Sequence, residues 1–104
     1  MIGKNSLIVA YLKEPREQIW GVLISLDQSG VVIKGISLES FEDWCRQVAK
    51  GEEGIGLSEM FIPSLRVVKL LLDERVGSLP SFSEKFKKMV GKDIQEWLGL
   101  KRSK

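Results

Sequence analysis

Few side chains in this sequence could do chemistry, and they are scattered. They are one thiol, Cys45, three pairs of adjacent acids, Glu42-Asp43, Glu52-Glu53 and Asp73-Glu74, and a glycine-studded stretch around Gly54 and Gly56. A thiol can act as a nucleophile, a carboxylate pair can divide acid and base work or hold magnesium, and a glycine-rich turn can cradle phosphate. None has the company its chemistry needs. The sequence contains no histidine, which removes the commonest general base and metal ligand and every triad built on it. Cys45 falls between Trp44 and Val48 on the apolar face of a predicted helix, the setting of a structural thiol. Each acidic pair abuts a helix start, a loop or a strand end, where carboxylates are solvated. The glycines do not lead into a Lys-Ser or Lys-Thr pair at a helix start, so no phosphate loop is expected. The expectation is a protein that is not an enzyme, with no catalytic residues, no metal ligands and no cofactor.

Binding chemistry has more material. Lys85, Lys87, Lys88, Lys92, Lys101, Arg102 and Lys104 make the C-terminal region basic, which suits either a phosphate-contacting patch or a solvated helix face. The whole chain is balanced, with 16 basic against 14 acidic residues and a formal charge of +2, so net charge alone does not require a nucleic-acid partner. Trp20, Trp44 and Trp97 could stack on bases or anchor an interface. Trp44 and Trp97 lie on apolar helix faces and read first as core; Trp20 precedes a glycine and could cover a helix.

Several elements must position these groups. With 104 residues, 43% hydrophobic and 29% charged, the chain is expected to form a single domain with one modest core. Residues 7–35 are dense in β-branched and long apolar residues and read as three antiparallel strands. Pro15, within a charged run, marks the first reversal, and Asp27-Gln28-Ser29-Gly30 has the composition of a type I turn at the second. Gly21 interrupts the middle strand, where glycine marks a bulge or a sharp bend. Phe41, Trp44, Cys45, Val48 and Ala49 then recur at helical spacing, predicting a helix over 40–50 with Ser40 as N-cap and Gly51 past its end. Residues 60–62 and 67–72 read as strands four and five, with Pro63 confined to an edge or strand end. Ser81-Phe82-Ser83-Glu84 is a capping box for a helix stopped at Gly91, and a last short helix carries Ile94, Trp97 and Leu98. The lone cysteine excludes an internal disulfide and fits a reducing compartment, and the only apolar run near the start, 7–12, is too short for a secretory or membrane-spanning segment. A cytoplasmic location, with no membrane partner, is expected.

The run from Gly21 to Gln28, followed by Val31-Val32-Ile33, resembles the first sequence motif of the Sm and Sm-like proteins, with its nearest likeness in the Hfq branch. Residues 60–70, Met-Phe-Ile-Pro-Ser-Leu-Arg-Val-Val-Lys-Leu, are similar to the second motif. The resemblance implies an α+β fold: an Sm-like five-stranded, strongly bent antiparallel barrel over 7–73, a helix inserted between strands 3 and 4, and a helical C-terminal appendage over 81–98. It implies a homo-oligomer, in which strand 4 of one subunit pairs with strand 5 of the next to close a ring. It also implies single-stranded RNA bound by the strand 2–3 and strand 4–5 loops, here Asp27, Gln28, Ser29, Ser64 and Arg66. Departures from the family pattern stand at those loops. Gly30 lies near the place of a base-contacting Asn, and the Lys-His pair of the Hfq branch is replaced by residues 62–65, Ile-Pro-Ser-Leu. The alternative expectation is a protein-interaction or assembly module of the same fold that reads no nucleic acid.

Overall fold

The computed structural model describes residues 1–100, and Lys101, Arg102 and Lys104 of the basic end lie outside them. The chain is α+β. Three strands come first, β1 (Leu7–Leu12), β2 (Glu17–Leu26) and β3 (Gly30–Ser37), followed by helix α1 (Leu38–Lys50). Strands β4 (Ser58–Pro63) and β5 (Val67–Leu72) flank a 3-10 turn over Ser64–Arg66, and helices α2 (Phe82–Val90) and α3 (Ile94–Trp97) complete the order. No helix among the described residues is long and apolar enough to cross a membrane.

All five strands join one antiparallel sheet in the order β4-β3-β2-β1-β5. The sheet is open, which corrects the expectation of a closed barrel. Closure would need β4 to hydrogen-bond β5, yet these strands stand at opposite ends of the order. The 3-10 turn between them carries the chain from one edge to the other instead of folding it back as a hairpin.

The strand alternation sorts side chains onto two faces. Leu7 and Val9 of β1, Trp20 and Val22 of β2 and Ile36 of β3 meet Phe41, Trp44 and Cys45 of α1, Phe86 of α2 and Ile94 of α3. The C-terminal helices thus share a core with the sheet. On the other face lie Ile8, Ala10, Leu12, Ile19, Leu23, Val31, Ile33 and Ile62, every one a strand residue and every one aliphatic. Ile8 and Ile33 are fully buried there with no helix against them, so the curvature of the sheet, with Ile2 ahead of β1 packed against it, encloses this second cluster.

The middle strand shows why it can curve. Gly21 pairs with Gly35 across β2 and β3, and a Cβ at Gly21 would stand 2.5 Å from the Lys34 carbonyl oxygen. Only two glycines allow so close an approach of the backbones. The bulge itself comes later, where the β2–β3 register shifts between Leu23 and Ser25, adding local twist.

The helix boundaries follow capping chemistry. Helix α1 begins earlier than predicted, because the Ser37 hydroxyl, at the very end of β3, accepts the Glu39 N–H at 3.3 Å. Ser40 therefore lies inside the first turn rather than capping it. The α2 capping box forms as its sequence implies: Glu84 N–H donates to the Ser81 hydroxyl at 3.0 Å, and Ser81 N–H donates to the Glu84 carboxylate at 3.0 Å. Gly91 ends that helix at φ +83°, a left-handed conformation that glycine adopts without steric cost.

Candidate functional site

The two loops expected to bind RNA lie together at one end of the sheet. Gly30 pairs with Pro63 across β3 and β4, and the Ser64 N–H donates to the Ser29 carbonyl at 3.0 Å. Within this cluster Asp27 serves the fold. Its carboxylate accepts the Ser29 N–H at 2.8 Å, the Ser29 hydroxyl at 2.6 Å and the Gly30 N–H at 3.3 Å. The Ser29 hydroxyl and then the backbone donors hold the Asp27 carboxyl below the usual carboxylate range. Asp27 and Ser29 thus spend polar atoms on their own turn, while Gln28 and Ser64 are exposed.

Arg66 turns away from these loops. Its guanidinium donates to the Lys13 carbonyl at 3.1 Å, the Pro15 carbonyl at 2.9 Å and the Glu17 carboxylate at 2.7 Å. The Lys13 N–H in turn donates to the Arg66 carbonyl at 2.9 Å. This clamp ties the β1–β2 turn to the 3-10 turn, so the five candidate residues do not form one site. The split has a plain cause: a fork of guanidinium donors is most fully satisfied by fixed carbonyls and a carboxylate together.

Other chemically able groups are also held by the fold. Cys45 is fully buried, and burial, followed by the nearby Glu42 carboxylate, pushes its thiol up to about 11. Almost no thiolate exists at neutral pH in that setting. Glu42 and Asp43 both face Arg46, at 3.6 and 2.6 Å. Asp73 accepts the Trp20 indole N–H at 3.1 Å, the Phe82 N–H at 2.7 Å, and the Ser83 N–H and hydroxyl at 2.9 and 2.6 Å. Arg75 donates to Glu84 at 2.8 Å and, as the largest influence, keeps that carboxyl below its ordinary range. Among the described residues no group of three or more His, Cys, Asp or Glu is placed to hold a metal ion. Trp20 and Trp44 are core residues with ring centroids 5.6 Å apart. Trp97 stands edge-on to Trp44 at 5.7 Å beside a groove of about 500 Å³ that Lys34 and Lys92 also line.

Surface available for contact lies along the two sheet edges. Among the described residues β4 pairs only with β3, and β5 only with β1, so each presents a row of backbone donors and acceptors to solvent. Large apolar side chains stand beside these rows: Phe61 on β4 is 56% exposed, Leu65 in the 3-10 turn 85%, and Val68 and Leu71 on β5 59% and 42%. Soluble proteins usually blunt such edges with charge, proline or cover; here Pro63 at the end of β4 and one exposed charge on each strand, Glu59 and Lys69, do so. The exposure of these side chains has no separate signature in the sequence, where the same residues read as ordinary members of apolar strands.

No family model, no curated protein and no solved structure matches this chain.

Proposed function

We propose that this protein is a non-catalytic assembly module that associates with copies of itself through its sheet edges, β4 of one copy against β5 of the next. The observation that carries this reading is the pair of open edges, each with exposed apolar side chains beside an unpaired backbone row. Pairing two different edges makes a head-to-tail contact, which closes into a ring when the rotation per subunit allows it. A ring of that kind is also what the Sm-like resemblance implies. Buried Cys45, with its raised thiol pKa, and carboxylates already paired with arginines or backbone donors support the non-catalytic part of the reading.

Light scattering across a concentration series tests it. The expected result is a mass that is a multiple of the 11.7 kDa chain, and Phe61→Asp should return it to one chain with the fold intact by circular dichroism. A wild-type protein that stays monomeric at the highest concentrations would remove the reading.

A second reading, single-stranded RNA binding, is favoured by the bond between Ser64 and Ser29 that brings the two loops together. Gln28 and Ser64 then offer an amide and a hydroxyl suited to base edges. A salt-dependent titration with short A-rich and U-rich RNAs tests it, on protein freed of nucleic acid. Binding at low salt that weakens in Gln28→Ala supports RNA; no binding at low salt rejects it, because phosphate contacts are strongest there.

A further inference from the structure

Along β4, Glu59 and Phe61 point to the same side of the sheet, two residues apart, and both are exposed. Along β5, Lys69 and Leu71 repeat that arrangement with the opposite charge, and both are exposed. Met60 and Ile62 on one edge, and Leu70 and Leu72 on the other, turn to the aliphatic cluster beneath. Glu59 and Lys69 therefore stand on one continuous side of the sheet, at its two opposite ends.

We infer that Glu59 of one copy pairs with Lys69 of the next and sets the register of edge-to-edge assembly, an inference that rests on the self-association proposed above. A β-edge offers backbone hydrogen bonds at many registers, and apolar side chains alone select weakly among them. A cross-strand charge pair selects one, since opposite charges placed directly across strands attract and like charges repel. With Glu59 opposite Lys69, Phe61 falls beside Leu71 if the two strands run in the same direction. If they run in opposite directions, Phe61 falls opposite Val67, whose side chain packs on the aliphatic cluster, with the exposed Val68 beside it. The same-direction register gives the closer apolar match once the charges meet. By contrast, opposite-running strands aligned on Phe61 and Leu71 would set Glu59 against Asp73, a repulsive pair.

Each partner also has a neighbour in its own chain. Lys34 of β3 lies across from Glu59, and the Lys69 ammonium sits 4.8 Å from the centroid of the Tyr11 ring. Among the described residues neither Glu59 nor Lys69 makes an ion pair within its own chain.

Charge reversal tests the inference. Glu59→Lys alone and Lys69→Glu alone should each weaken self-association by on the order of three- to tenfold at low salt, and by less at high salt. The double variant, Glu59→Lys with Lys69→Glu, should recover wild-type association. Sedimentation velocity reads the association constant, and circular dichroism verifies that each variant is folded. If the wild type assembles but both single reversals assemble equally well, the register inference is overturned and the edge-to-edge reading stands. If the singles weaken association and the double does not recover, the effect comes from Lys34 or Tyr11 within one chain, and the inference is again overturned. A monomeric wild type would remove both.

Discussion

The two faces of the sheet are built on different principles. One is aromatic and covered by helices: Trp20, Phe41, Trp44 and Phe86 lock together with ring centroids 5.1 to 5.8 Å apart. The other is built from aliphatic strand residues and is enclosed by the sheet's curvature together with Ile2. Aromatic rings add directional contacts to buried area, so the first face fixes where three helices sit. Aliphatic side chains pack without direction, so the second face is only as well covered as the strands curling around it. Its margin, formed by Met60, Val67, Leu70 and Leu72, is partly buried and coincides with the open edges β4 and β5. The least finished part of the core thus lies along the edges through which self-association is proposed.

The largest break in this comparison should come from Trp44→Ala, which removes the ring joining α1, α2 and α3. A loss of about 3–5 kcal/mol in stability is expected, as for other buried Trp→Ala changes, with loss of helical signal; chemical denaturation followed by far-ultraviolet circular dichroism measures it. Ile33→Val trims one methylene from the aliphatic face and should cost about 0.5–1.5 kcal/mol, leaving the near-ultraviolet tryptophan signal unchanged. If that signal moves as much as it does in the Trp44 variant, the two faces are one coupled core and the distinction fails. The last effect, which leaves stability independent of pH near neutrality, concerns Cys45. Its thiol is raised from an ordinary value of 9.0 to about 11 in the folded protein, so the fold disfavours the thiolate. The contribution is fully present below pH 9 and is lost between pH 9 and 11, as the unfolded chain ionises first. Denaturation midpoints should fall across that window in the wild type, and fall less in Cys45→Ala.

What could be read from sequence was what is decided locally. The capping box at Ser81 and Glu84, the left-handed stop at Gly91, the Asp27 turn and the apolar stripe of Phe41, Trp44 and Cys45 all depend on residues within a few positions of one another. The start of α1 is ambiguous in the sequence because Ser37 and Ser40 are both competent caps, and the choice of Ser37 depends on where β3 ends. Arg66 lies in the strand 4–5 connection, as its sequence position implies, but its guanidinium meets Lys13, Pro15 and Glu17, some fifty residues earlier, and no local pattern signals such a pairing. Open against closed was equally hidden. Both forms use the same five strands and differ only in whether the two edges meet.

Asp73 has a consequence beyond capping α2. The last strand hydrogen-bonds only β1, so its place along that neighbour rests on one ladder of backbone bonds and on the Arg66 clamp at its start. A slide by two residues would return the same faces to core and solvent, and alternation alone would not oppose it. Asp73, one residue past the strand, donates its N–H to the Leu7 carbonyl at 2.8 Å while its carboxylate takes Trp20 and the first turn of α2. Any slide would break all of these at once, so Asp73 works as the ratchet pawl that stops the outer strand from slipping.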